Sequence, residues 1–118
     1  MPYYLRARTY FQYAQLLLED LLSGKKQLTF NHLREIFWQV LKALYALTET
    51  KAPEKTPTPE EVINKIFSTL NERERQKILF LKEIFFTEKT PDTDPKELRT
   101  LLEEIKDIVG WLKGVLNL

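Results

Sequence analysis

The 118-residue chain carries 18 lysines and arginines against 17 aspartates and glutamates, for a formal charge of +1. This balance gives no overall attraction to nucleic acid or anionic lipid. The chain has no cysteine, which excludes disulfides, thiolate nucleophiles and cysteine-based zinc sites and is typical of a reducing compartment. The length predicts one domain over residues 1–118, and the lack of a signal-peptide pattern or membrane-length apolar run predicts a cytoplasmic protein.

The first helix is predicted between Tyr3 and Leu22, where apolar residues recur at steps of three and four. Gly24 predicts its end, because glycine accepts the left-handed conformation of a helix stop. Arg6 and Arg8 alternate with tyrosines, a mixture that can stack on and hold single-stranded RNA. The alternative is that the tyrosines belong to the core. The predicted core residues are Tyr3, Tyr4, Ala7, Tyr10, Phe11, Ala14, Leu17, Leu18 and Leu21.

The second helix is predicted to begin near Thr29 or Asn31, because either side chain can accept hydrogen bonds from the free amides of a first turn. The segment "APEKTPTPE" follows it, and its three prolines predict a surface loop. The predicted core residues of this helix are Leu33, Ile36, Phe37, Val40, Leu41, Leu44 and Leu47.

Three further helix starts are predicted by capping patterns: Thr58 in "TPEE", Asn71 in "NERE" and Asp94 in "DPKE". In each pattern an acidic residue follows three positions later and can complete a capping box. Without any alternating strand pattern, these features predict an all-α, up-and-down antiparallel bundle of about five helices, three long and two shorter. The predicted core residues here are Val62, Ile63, Ile66, Phe67, Leu70, Ile78, Leu81, Phe85, Leu98, Leu101, Ile105, Ile108, Leu112 and Val115.

His32 is the only histidine and the first candidate for chemistry. No second imidazole exists to share a metal ion, so no metal site is predicted. A general base would also need an acid or an oxyanion donor, which the sequence does not indicate. We therefore interpret His32 as a half-buried residue at a helix start. Because Glu103, Glu104 and Asp107 alternate with lysines, we interpret them as a solvated, ion-paired face. No catalytic residue and no cofactor are predicted.

Gly110 and Gly114 lie four residues apart in the last predicted helix. Glycine in a helix interior costs about 0.5–1 kcal/mol relative to alanine, so a compensating contact is expected. The spacing indicates a close approach of two backbones, within the domain or between two copies. The pair is therefore our candidate for a dimer interface.

Three stretches together resemble the HEPN domains, a family named for higher eukaryotes, prokaryotes and nucleotide binding. They are "YFQYAQLLLEDLLSGK", "HLREIFWQVLKALYALTETKAPEKT" and "FFTEKTPDTDPKELRTLLEEIKDIVGWLKGVL". The resemblance implies a helical bundle of this size, often a homodimer. It also implies partnership with a small nucleotidyltransferase in two-component systems of toxin–antitoxin type.

Many HEPN proteins are metal-independent ribonucleases that use an arginine followed, after four to six residues, by a histidine. No arginine precedes His32 at that distance, and the nearest cationic residue upstream is Lys26. The ribonuclease role is therefore not transferred to this chain. Relatives often have an arginine ahead of "YPD", whereas this chain has Lys89, Thr90, Pro91 and Asp92. Lysine keeps the charge but lacks the planar fork that grips phosphate.

Three functions follow as expectations. The first is a non-catalytic, dimeric binding module that holds a partner such as a nucleotidyltransferase. The second is a nucleotide- or RNA-binding protein with a degenerate ribonuclease site, formed by Lys42, Lys89 and Asp92. The alternative for these three residues is a solvated loop and helix surface. The third function is a structural bundle that only dimerises.

Overall fold

The computed structural model describes residues 5–49, 51–87 and 94–117. These residues form five α-helices and no strand, which confirms the predicted all-α bundle with three long and two shorter helices. The helices are α1 (Arg6–Ser23), α2 (Phe30–Thr48), α3 (Pro59–Ile66), α4 (Glu72–Phe85) and α5 (Pro95–Val115). A single turn of 3-10 helix at Phe67–Thr69 separates α3 from α4.

The turn between α1 and α2 has the predicted signals. Gly24 adopts the left-handed conformation, with φ of 81°, and its amide donates to the carbonyl of Leu21. Thr29 is the cap of α2, and its hydroxyl accepts a hydrogen bond from the amide of His32 at 3.1 Å. Both signals are local because they depend on a backbone conformation or on an amide three residues away.

The caps of the later helices differ in detail from the predicted boxes. Only α4 has the full reciprocal box, with Asn71 and Glu74 each bonded to the other's backbone amide at 2.8 Å. In α3 the hydroxyl of Thr58 accepts from the amide of Glu61 and donates to the Glu61 carboxylate. The shorter side chain of Asp94 accepts from the amide of Lys96, two residues away.

The centre of the fold is α2, which contacts each of the other four helices among the described residues. It packs most extensively along α1 and next along α3. Phe37 of α2 is fully buried, and its ring centroid lies 5.6 Å from that of Phe85 in α4. Phe85 also lies 5.1 Å from Phe30, so this aromatic cluster fixes the end of α4 against the start of α2.

Two predicted core residues are exposed instead. Leu47 exposes 41% of its surface and Val115 exposes 45%. Both lie in the last turn of their helices, α2 and α5, where the periodic stripe continues past the packing partner. Tyr3 and Tyr4 lie outside the described residues. Tyr10 is half-buried against the core, as expected, whereas Tyr13, which was not among the predicted core residues, is exposed.

Within the described part of the chain, no helix combines the length and apolarity needed to cross a lipid bilayer.

Candidate functional site

His32 is half-buried in the first turn of α2, as predicted. Its ring Nδ1 lies 2.7 Å from the carbonyl oxygen of Gln27, to which it donates a hydrogen bond. The same residue gives its backbone amide to Thr29. The side chain therefore links the α1–α2 turn to the start of α2.

The clearest basic and aromatic arrangement lies along α2, and we call it the α2 ridge: Tyr10, Arg34, Trp38, Lys42 and Phe86. Lys42 Nζ lies 5.0 Å from the ring centroid of Tyr10 and 5.6 Å from that of Trp38. These distances allow cation–π attraction to both rings. Arg34, Trp38 and Lys42 follow one another at steps of four residues, so they line the same side of the helix.

The α2 ridge ends in a shallow pocket. Phe86 packs edge-on against Trp38, with their ring centroids 6.1 Å apart. The pocket beside them has a volume of about 260 Å³ and is also lined by Arg34, Glu35 and Pro59. A planar group stacked on Trp38 would lie between two cations of the ridge. Sequence reasoning singled out Lys42 but missed Trp38 and Phe86, because their meeting depends on how the end of α4 packs beside α2.

The other two residues of the predicted nucleotide site, Lys89 and Asp92, lie outside the described residues. The structure therefore brings Lys42 together with Tyr10 and Trp38, and the grouping of Lys42 with Lys89 and Asp92 stays a prediction.

A second concave feature lies between α4 and α5, with a volume of about 250 Å³. Ile78 and Ile108 contribute apolar surface, and Trp111 lines one side. Lys77 reaches across from α4 to form ion pairs with Asp107 and, at 2.9 Å, with Glu104. The two carboxylates are thus held by a lysine, and this arrangement joins the two helices.

The hydrogen bond to Asp107 is the main cause that raises the pKa of Lys77 above its ordinary value. Partial burial acts in the opposite direction, and Glu104 adds a second favourable contact. Lys77 is therefore a charged structural side chain at neutral pH. The prediction that the acidic residues of α5 belong to an ion-paired face agrees with this geometry.

The basic stretch "RERQK" does not form one patch. Arg75 Nε donates to the carbonyl oxygen of Phe67 at 2.9 Å, and its guanidinium lies 5.2 Å from the Phe67 ring centroid. Lys77 faces α5, as described above, and Arg73 lines the cleft. Arg75 and Lys77 therefore each fasten α4 to a neighbouring element.

Gly110 and Gly114 are both exposed on α5. A methyl group placed on either glycine would meet no described atom within 4 Å apart from its chain neighbours and the adjacent backbone of α5. The predicted close approach of two backbones within the domain is therefore not found among the described residues. The other form of the prediction, an approach between two copies, stays open because the outward side of α5 has room for it.

Apolar side chains on the outer faces of α1 and α4 were missed by the sequence analysis. On α4, Phe80 exposes 53% of its surface and Leu79 is also exposed. On α1, Tyr13 exposes 52% and Leu16 exposes 59%. A signal was available on α1, since residues 9–18 contain no charged residue. The buried side of α1 explains about half of these uncharged residues, and the other half lie on the exposed side of the helix.

The described residues contain no group of three or more histidines or carboxylates that could hold a metal ion. No protein-family model, no curated protein and no solved structure matches this chain.

Proposed function

We propose that this chain is a non-catalytic, dimeric binding module of HEPN-like type that holds a partner protein. The resemblance of its sequence to HEPN domains makes a small nucleotidyltransferase, in a two-component system of toxin–antitoxin type, the first partner to test. The observation that carries the proposal is the exposed apolar surface on the outer face of α4.

This surface centres on Phe80. Six of the seven phenylalanines are buried or half-buried, and Phe80 is the one that is exposed. Leu79 is exposed beside it, and Gln76 and Glu83 are the exposed residues one turn away on either side. An aromatic anchor surrounded by polar residues is the usual centre of a protein interface. About half of this large apolar side chain faces water, and covering it with a partner would be favourable.

The experiment is a tagged pull-down from the native host, with bound proteins identified by mass spectrometry. We expect a small nucleotidyltransferase in near-equal amount with the wild-type chain, and its loss with Phe80→Lys. Leu22→Lys is the matched control, because Leu22 exposes a similar fraction of its surface on another helix. Recovery of the chain without that protein, or equal recovery with both variants, would contradict the proposal.

The α2 ridge favours a second candidate function, the binding of a nucleotide or of single-stranded RNA. Trp38 offers a ring for stacking, and Lys42 and Arg34 offer charge on either side of it. We expect RNA binding that weakens with salt and is reduced by Lys42→Met. Lys25→Met, a change at an exposed lysine away from the ridge, is the control. Binding equally reduced by both changes would indicate non-specific attraction.

A degenerate ribonuclease site can be separated from plain binding by assaying cleavage of RNA in the presence of a chelator. Cleavage lost on His32→Ala or Lys89→Ala would support the enzyme. Because the His32 ring is bonded to the Gln27 carbonyl, we expect His32→Ala to leave any cleavage unchanged.

A further inference from the structure

The outer face of α1 is apolar in its middle and charged at its ends. Between Arg8 and Glu19 the helix has no charged residue, although 30% of the whole chain is charged. Tyr13 and Leu16 are each more than half exposed there, and the exposed residues Thr9 and Gln12 are uncharged. A solvent face of about three turns without a charge is unusual for a surface that only meets water.

The charges at the ends of α1 oppose the dipole of the helix. Arg6 and Arg8 lie in the first turn, and Glu19 and Asp20 lie near the last. A helix is stabilised by acidic residues at its start and basic residues at its end. Each of α3, α4 and α5 has at least one acidic residue in its first turn and a basic residue in its last turn, whereas α1 has neither. The order of charges on α1 therefore disfavours the isolated helix.

The positions of these residues around α1 form a consistent pattern. At about 100° per residue, Leu16 lies opposite the buried stripe of the helix. Arg8 and Glu19 are three turns apart and lie on one side of Leu16. Arg6 and Asp20 are four turns apart and lie on the other side.

We propose that two copies of this chain pair through the outer faces of α1 in an antiparallel, two-fold arrangement. In a two-fold pair of antiparallel helices, residues on one side of Leu16 in the first copy lie next to residues on the same side of Leu16 in the second copy. Arg8 of each copy then faces Glu19 of the other, and Arg6 faces Asp20. The midpoint between Arg8 and Glu19 and the midpoint between Arg6 and Asp20 both fall beside residue 13. The two-fold axis passes there, and one alignment of the two helices forms both pairs. Leu16 and Tyr13 fill the uncharged centre.

A second copy fits this face better than an unrelated partner because the surface is complementary to itself. A two-fold interface uses the same patch on both subunits, so its charges must match after reversal, as these do. A parallel arrangement would instead place Arg8 against Arg6 of the other copy and Glu19 against Asp20, which are pairs of like charge. The proposal names the surface for the dimeric part of the proposed function and rests on that part, whereas partner binding is assigned to α4.

The length of α1 limits the area that this interface can bury. The helix has 18 residues and is therefore about 27 Å long. One pair of helices of this length lies at the low end of the areas that stable protein interfaces bury. We expect self-association in the micromolar range or weaker, with the end charges setting the orientation.

The test is sedimentation equilibrium of the full chain, of Arg8→Glu, of Glu19→Arg and of an equal mixture of the two variants. Each variant alone places like charges at both ends of the interface, so we expect its self-association to fall about tenfold. In the mixture, each introduced residue faces an opposite charge on the other copy. We expect the mixture to recover the wild-type association constant.

Melting temperature separates this effect from misfolding. Arg8→Glu and Glu19→Arg each bring α1 into line with its dipole, so neither variant should melt below the wild-type monomer. Wild-type association with either variant, or a mixture that does not recover, would overturn the antiparallel register. Dimers lost only on Gly110→Leu would place the interface on α5 instead. A wild-type chain that is monomeric throughout would overturn self-association itself.

Partner capture is measured with the same variants. Arg8→Glu should retain the partner protein that Phe80→Lys loses. Retained capture with unchanged sedimentation would refute only the α1 interface, whereas lost capture in both variants would refute the separate assignment of α4.

Discussion

The ring of His32 serves the local structure of the α1–α2 turn. Its Nδ1 donates to the carbonyl oxygen of Gln27, and its amide satisfies the cap at Thr29. A net intramolecular hydrogen bond of this kind contributes about 0.5–1.5 kcal/mol. We expect His32→Ala to lower the free energy of unfolding by about 1 kcal/mol, measured by urea denaturation. An unchanged free energy would show that the ring has no structural role.

Lys77 is the charged residue with the clearest structural contribution. Lys77→Gln leaves Glu104 and Asp107 close together without the shared cation. Because these groups are partly in water, we expect a loss of only about 0.5–1 kcal/mol in the free energy of unfolding at neutral pH.

The pH dependence of that loss follows from the direction of the Lys77 shift. Its pKa in the folded chain is raised above the ordinary value of 10.5, so the ion pairs contribute fully below that pH. The contribution disappears as the pH rises through the raised pKa. Urea denaturation of both proteins should show a constant difference from neutral pH to the onset of lysine titration, and a smaller difference above it. A difference that grows there would contradict the assignment.

At the scale of the helix, Gly110 tests the interpretation of α5. The residue lies in a helix interior, and an added methyl group would meet no described atom within 4 Å. Gly110→Ala should therefore raise the free energy of unfolding by about 0.5–1 kcal/mol, through helix propensity alone. The measurement is thermal and urea denaturation of the monomer at low concentration. A destabilised variant would reveal a close contact that the structure does not show.

Helix boundaries were predictable from the sequence to the extent that their causes are local. Gly24, Thr29 and Asn71 each act through a backbone angle or an amide within three residues; Gly24 and Asn71 were identified correctly, and Thr29 was one of two predicted caps. The exposure of Leu47 was not predictable in this way. Whether the last turn of a helix is covered depends on where its neighbour ends, and the periodicity of one helix carries no information about that.

For the candidate sites, too, local features were predictable from the sequence, whereas contacts between helices were not. Lys42 was identified as a charge on α2, but its place between Tyr10 and Trp38 depends on the packing of α1 against α2. The ion pairs of Lys77 link residues of two helices some thirty positions apart, which no sequence pattern predicts. Phe80 was missed because an exposed phenylalanine and a buried one look alike in a single sequence.

At the scale of the whole molecule, α2 occupies the centre, and the outer faces of α1 and α4 carry apolar side chains that are exposed among the described residues. We expect α4 to hold a partner protein and α1 to hold a second copy. These two surfaces lie on different helices, so their substitutions should act independently.

The most direct test of this account is the molar mass, by light scattering, of the complex purified from the native host, with its components identified by mass spectrometry. The account predicts a particle that contains two copies of this chain together with a small nucleotidyltransferase. A particle with the mass of one chain, with no protein bound at high concentration, would contradict both the binding module and its dimer.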